Sequence, residues 1–243
     1  MNHLDITNMP NLPFDVQESL NQLRINLGFS GAEIKTIMIT SSTPNEGKSF
    51  VAINLWKMMS NVGSRVLLID TDLRNSDMRT KYRFQNENGI LGIEHYLSGK
   101  IELFDTIYET NYQNGYIIPV STNIVDPTTL LESNRFKVML EQCKSRFDYI
   151  IVDTPPLGSV ADALNIAKHC DGTLLVIRSG EVPRKVVNDS VSLLRRTEVP
   201  LLGVVLNRVD TSKRGSNYGY YYRYGYYSNY GYGNGKSDKK KPK

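Results

Sequence analysis

TIMITSSTPNEGKSFVAINL, residues 36–55, is the stretch that decides the fold. A short apolar run gives way to the polar loop SSTPNEGKS, and an apolar-periodic segment follows over residues 50–62. The pattern predicts strand, loop and helix. Gly47-Lys48-Ser49 opens the helix. A helix start presents unpaired N–H groups and the positive end of its dipole, and both favour phosphate oxygens. A lysine placed there reaches the β and γ oxygens of a bound triphosphate, and the adjoining serine hydroxyl suits Mg²⁺. Ser42 stands where such loops usually carry their first glycine, and a small residue still fits. The expected nucleotide-binding residues are Ser42, Thr43, Pro44, Asn45, Glu46, Gly47, Lys48, Ser49 and Phe50. The expected ligands are ATP and Mg²⁺.

Outward from this loop, apolar runs and helical periods alternate. RVLLID (65–70), residues 116–119, YIIV (149–152), residues 173–177 and residues 201–206 read as strands. Residues 15–29, 91–97, 133–146, 161–169 and 183–196 read as helices, the first with Val16, Leu20, Leu23 and Leu27 on one face. Short, nearly all-apolar strands between helices predict an open, mostly parallel α/β sheet covered on both faces, a doubly wound fold of the P-loop NTPase type. In such sheets the site lies beyond the carboxyl ends of the strands. Asp70 ends one strand, in LLIDTDLR, with Asp72 and Arg74 just after it; Asp153 ends another, in YIIVDTPP. Acids at neighbouring strand tips beside a phosphate loop can hold Mg²⁺ and orient a nucleophile.

The 243 residues have a formal net charge of +4, unevenly placed. Residues 213–243 hold eight Lys/Arg and one Asp, which is +7, and leave about −3 for residues 1–212. A near-neutral body argues against a dedicated nucleic-acid-binding domain, and no nucleic-acid partner is expected. The stretch YGYYYRYGYYSNYGY packs nine of the fifteen tyrosines between residues 218 and 232, among glycines and with no period that would bury one face. The expected layout is an extended arm over 1–14, one domain over 15–212 and a flexible, basic, tyrosine-rich tail over 213–243. Two cysteines, Cys143 and Cys170, form no disulfide framework or zinc spacing, which points to a reducing compartment. Residues 1–15 lack the basic and apolar regions of a signal peptide, and no apolar run approaches 18 residues. A cytoplasmic location is expected.

Phosphate loop, then DxDxR, then hhhDTPP, with GILGIEHYLSG (89–99), DPTTLLES (126–133), ADALNIAKHCDGTLLVIR (161–178), LLGVVLNRV (201–209) and a terminal tyrosine cluster, resembles the bacterial tyrosine kinases (BY-kinases) over most of residues 15–210. The resemblance implies an ATP-dependent protein tyrosine kinase that phosphorylates its own tail. It makes Lys48 the group that stabilises the transferring phosphate and Asp70 the base for the tyrosine hydroxyl. Ser49, Asp72 and Asp153 would hold Mg²⁺, with Asp72 also catalytic, and Asn207 would sit where related proteins read adenine. The acceptors implied are Tyr218, Tyr220, Tyr221, Tyr222, Tyr224, Tyr226, Tyr227, Tyr230 and Tyr232. The family's ring motif, ExxRxxR, maps onto the first helix as Glu18 and Arg24, with Asn21 in place of the first arginine. The implied partners are further copies of the chain in a ring, a transmembrane activator of polysaccharide export and a tyrosine phosphatase. The implied location is the inner face of the cell membrane, reached through that activator, in control of capsular or extracellular polysaccharide. Two other readings share the scaffold: a partitioning-type switch ATPase that modifies no protein, and a nucleotide-binding docking module.

Overall fold

The computed structural model describes residues 2–158 and 161–210. Residues 1–207 form one compact unit; of the second, residues 208–243, only 208–210 are described. The nine candidate acceptor tyrosines therefore lie outside the described residues.

The phosphate-loop segment folds as expected, with β2 at Thr36–Ser41 and α2 at Lys48–Asn61. Around it stand β3 (Val66–Asp70), β6 (Gly115–Ile118), β7 (Tyr149–Asp153), β8 (Gly172–Arg178) and β9 (Leu201–Asn207). With β1 (Asn2–Ile6), β4 (Phe84–Gln85) and β5 (Tyr108–Thr110) at one edge, the sheet order is β4-β1-β5-β6-β3-β7-β2-β8-β9. The run from β6 to β9 is wholly parallel.

Alternate residues of β2, β3, β6, β7 and β8 feed two separate cores, which is why each is apolar throughout, while β9 at the sheet edge leaves Val204 and Leu206 half exposed. Leu67, Ile69, Ile150, Val152, Leu175 and Ile177 enter one core, closed by α6 (Asn134–Lys144), α7 (Asp162–Ala167) and α8 (Arg184–Arg195). Leu68, Ile37, Ile39, Ile151, Leu174 and Val176 enter the other, under α2 and α1 (Phe14–Gly28). Leu20 and Leu27 of α1 are buried and Val16 and Leu23 half-buried, so the predicted apolar face is the packed one. Trp56 pins α2 to the sheet, its indole N–H reaching the carbonyls of Val66 (3.1 Å) and Tyr116 (3.0 Å).

The N-terminal arm needs correction. Residues 2–6 are extended, but they form β1 (Asn2–Ile6), parallel to β5 (Tyr108–Thr110) and antiparallel to β4 (Phe84–Gln85). Leu4 and Ile6 are buried while His3 and Asp5 face solvent. Two short helices, α3 (Met78–Lys81) and α5 (Thr128–Leu131), and α4 (Ile93–Leu97) frame the carboxyl edge of the sheet. Both cysteines are buried and free, and burial pushes each thiol up to about 12. Among the described residues no helix is long and apolar enough to cross a membrane.

Candidate active site

The turn from β2 into α2 is shaped by residues with left-handed backbone. Asn45 has φ 65° and Gly47 φ 96°, and a Cβ at Gly47 would run into the Asn207 side chain. Only glycine satisfies both demands there. Glu46, 1% exposed, staples the loop. Its Oε1 accepts from the Thr43 N–H and from Thr43 Oγ1 (2.9 Å), and its Oε2 accepts from the Arg178 N–H at the end of β8 (3.0 Å). Asn207 Nδ2 donates to the Glu46 carbonyl at 2.9 Å. Both side chains thus fix the loop's shape from the β8/β9 side, a role that the loop pattern alone did not reveal.

The register of the sheet brings the acids together. Asp70 and Asp153 are directly paired positions at the ends of β3 and β7, and both are 1% exposed. Lys48 reaches from α2 to Asp72, Nζ to Oδ2 at 2.9 Å, and lies 3.4 Å from Ser49 Oγ. Burial works against the lysine's charge, but Asp153, Asp72 and Asp70 together outweigh it and raise its pKa. Burial, reinforced by Asp153, raises the Asp70 carboxyl well above the ordinary range; hydrogen bonds from Ser76 Oγ and the Asp72 N–H (3.1 Å) work the other way. Burial raises Asp153 as well, against the pull of Lys48. Three buried carboxylates around one ammonium leave excess negative charge, which a buried site tolerates poorly without a further cation.

The donor set fits Mg²⁺. Ser49, Asp72 and Asp153 offer hard oxygens of the kind this ion takes, and Asp153 Oδ1 is buried without a hydrogen-bond partner. Among the described residues no group of three or more His, Cys, Asp or Glu side chains is arranged to hold a metal alone. Ser42 Oγ is likewise buried and unpartnered in the phosphate loop.

Arg74 gains a definite place. Its guanidinium donates to Asp162 Oδ2 (2.8 Å), the Val125 carbonyl (2.8 Å) and Thr128 Oγ1 (2.9 Å), and Thr128 donates to Asp162 Oδ1 (2.8 Å). It ties the β3 tip to α5 and to the start of α7, so it braces the strand ends. Thr128 and Asp162 sit in the segments DPTTLLES and ADALNIAK, but only the topology shows that Arg74 joins them. Glu18 and Arg24 lie on α1, Glu18 exposed and Arg24 half-buried, away from this cluster of acids.

Comparison with known proteins agrees with this geometry. The AAA domain family profile matches residues 34–181. Tyrosine-protein kinase CpsD of Streptococcus agalactiae is 40% identical over 205 residues, 84% of this chain and 88% of that one. The kinase domain of Escherichia coli tyrosine kinase ETK superposes with a TM-score of 0.75 at 30% identity, covering 86% of this chain and 84% of that one. The septum site-determining protein MinD of Pyrococcus horikoshii, solved with Mg-ADP, shares the fold alone, at a TM-score of 0.63 and 24% identity over 77% of this chain and 75% of that one. With the DxDxR and DTPP strand ends meeting at the phosphate loop and a kinase relative matched over most of both lengths, the chain belongs to the bacterial tyrosine-protein kinase family.

Proposed function

We propose that the chain transfers the γ-phosphoryl group of ATP to tyrosine hydroxyls, and that its first substrates are the tyrosines of residues 218–232 on another copy of itself. One observation carries this reading: the Asp70 carboxylate stands beside Asp153 at adjoining strand tips, with Lys48 reaching across from the phosphate loop. The new bond joins the tyrosine oxygen to phosphorus, the bond from phosphorus to the ADP oxygen breaks, and the tyrosine proton goes to Asp70. A tyrosine ordinarily holds its proton to about pH 10, so a base is needed as the bond forms. Burial shifts Asp70 toward neutrality, where a carboxylate can accept a proton and release it again. Lys48 and the loop N–H groups neutralise charge on the phosphoryl oxygens. Mg²⁺ bound by Ser49, Asp72 and Asp153 would add charge neutralisation and alignment of the phosphates. Asn207 shapes the loop through the Glu46 carbonyl, and the family resemblance would also set the adenine beside it. We extend the proposal, on the family resemblance, to a membrane activator, a phosphatase, a ring of copies and control of capsular or extracellular polysaccharide. CpsD and ETK, themselves named as tyrosine kinases, support the kinase activity.

Intact mass after incubation with ATP and Mg²⁺ tests the reading. A ladder of phosphate additions within residues 218–232, reduced at least about a hundredfold in rate by Lys48→Met, is expected. Free phosphate with no change in protein mass, even with the activator's cytoplasmic segment added, would instead mark a switch ATPase.

A further inference from the structure

The order of the strands lays out the carboxyl edge in a line. From β2 outward come the phosphate loop, then Asp153 on β7, then Asp70 on β3, then the end of β6. At that last place is a cavity of about 390 Å³, between α3, β4 and the loop that follows β6. Its size lies within the roughly 300–1,000 Å³ of small-molecule sites. Ser76, whose hydroxyl donates to Asp70, is part of its wall, so the cavity adjoins the base on the side away from the phosphate loop.

Arg79 and Arg83 line the cavity together with Thr80 and Asn123. Arg79 gives one N–H to the Ser121 carbonyl (2.8 Å), and neither arginine has a carboxylate partner among the described residues. The Ser121 hydroxyl and N–H are taken by Glu94, which holds this wall in place. Two exposed guanidiniums in one concavity, with most of their donors uncommitted, fit a phosphate monoester, because planar guanidinium forks match its oxygens. A tail of charge +7 offers these arginines nothing before modification. Each phosphotyrosine brings about −1.5 to −2 charges and strong acceptor oxygens.

We propose that this cavity binds a phosphotyrosine already made on the tail of a second copy, so that one modification promotes the next; this rests on the kinase reading above. Spacing supports it. Ser76 both lines the cavity and hydrogen-bonds Asp70, so the near wall of the cavity is one side chain from the base. Two residues of extended chain span about 7 Å. Tyr218, Tyr220, Tyr222, Tyr224 and Tyr226 recur at that step. A phosphotyrosine in the cavity therefore leaves the tyrosine two positions away within reach of the base.

The test uses the full chain and a labelled peptide of residues 216–234, with and without phosphotyrosine at position 226. Fluorescence anisotropy is expected to show the phosphopeptide binding at least tenfold more tightly than the unmodified peptide. Arg79→Gln with Arg83→Gln should remove that difference, and the matching pair of lysine substitutions should restore part of it. Unchanged heat-melting and ATP binding would show that the variants fold. In partial reactions, wild-type tails should be enriched in multiply phosphorylated species over random placement, and the double glutamine variant should fall to the random pattern. Equal binding of the two peptides would overturn the proposal. So would an unaffected double variant, or inorganic phosphate competing at the same concentration as the phosphopeptide. The binding assay requires no turnover, so loss of the kinase reading itself would show separately, as a missing mass ladder.

Discussion

Asp70 and Asp153 show how a site for phosphate chemistry is held at a cost in stability. Each is an acid whose folded pKa lies above its unfolded value, Asp70 at about 7 and Asp153 at about 6. Between the ordinary carboxylate range and those values the folded state binds more protons than the unfolded one. Stability therefore falls as pH rises through this window, and the full penalty stands above it. Asp70→Asn removes one of the repelling charges while keeping an acceptor for Ser76. The variant is expected to be more stable than wild type by roughly 1–3 kcal/mol at pH 8, a few degrees in Tm, with the gain shrinking as pH falls and lost only near pH 4. Thermal melts in chelator without nucleotide check this. A wild-type Tm at or above that of the variant at pH 8 would mean the carboxylates are not in conflict. The same variant should lose about 10²–10⁴ in the rate of phosphate transfer. Gain of stability with loss of rate is the signature of a strained functional group, which a merely structural acid would not give.

At the scale of elements, the strands of the parallel core were legible because each is apolar on both faces and is followed by a helical period. The phosphate loop, Asp70 and Asp153 were legible for the same reason, since they sit where those runs end. β1 was not. Its alternation in NHLDI is only five residues long, and its partners, β4 and β5, lie about eighty to a hundred residues away and are themselves two and three residues long. Nothing local distinguishes such a strand from an extended arm, and tertiary pairing decides it. The staple at Glu46 and the brace from Arg74 to Thr128 and Asp162 were hidden likewise, because their partners meet only once the sheet is ordered. The two readings of the N-terminus differ in a measurable way. An arm predicts no effect of Leu4→Ala. A buried strand predicts a loss of about 2–4 kcal/mol, seen as a lower midpoint in urea with little change in slope. His3→Ala, on the exposed side of the same strand, should stay within about 0.5 kcal/mol.

For the whole molecule, charge and assembly are linked through the first helix and the tail. Arg24 donates from Nε (3.2 Å) and Nη2 (2.8 Å) to Asn21 Oδ1, so its guanidinium is drawn back onto its own helix. In the motif that the resemblance implies, position 21 would carry a further arginine, which cannot accept a hydrogen bond from Arg24. Asn21→Arg should release Arg24 and add a cation to the surface that also carries Glu18. The expected result is a higher solution mass at equal concentration, with the gain screened out as salt rises toward 1 M. Extensive tail phosphorylation should act in the opposite direction once the phosphates outnumber the one that the Arg79 and Arg83 cavity holds. Four or five phosphates bring roughly −6 to −10 charges, which takes residues 213–243 from +7 to between about +1 and −3 and removes most or all of the tail's attraction to the body. Light scattering after size exclusion, on Asn21→Arg with and without Lys48→Met and after ATP treatment, separates the two effects. The double variant, which cannot phosphorylate itself, should be the largest species, and the ATP-treated single variant should fall toward monomer. Identical masses for those two samples would show that the tail's charge does not govern assembly.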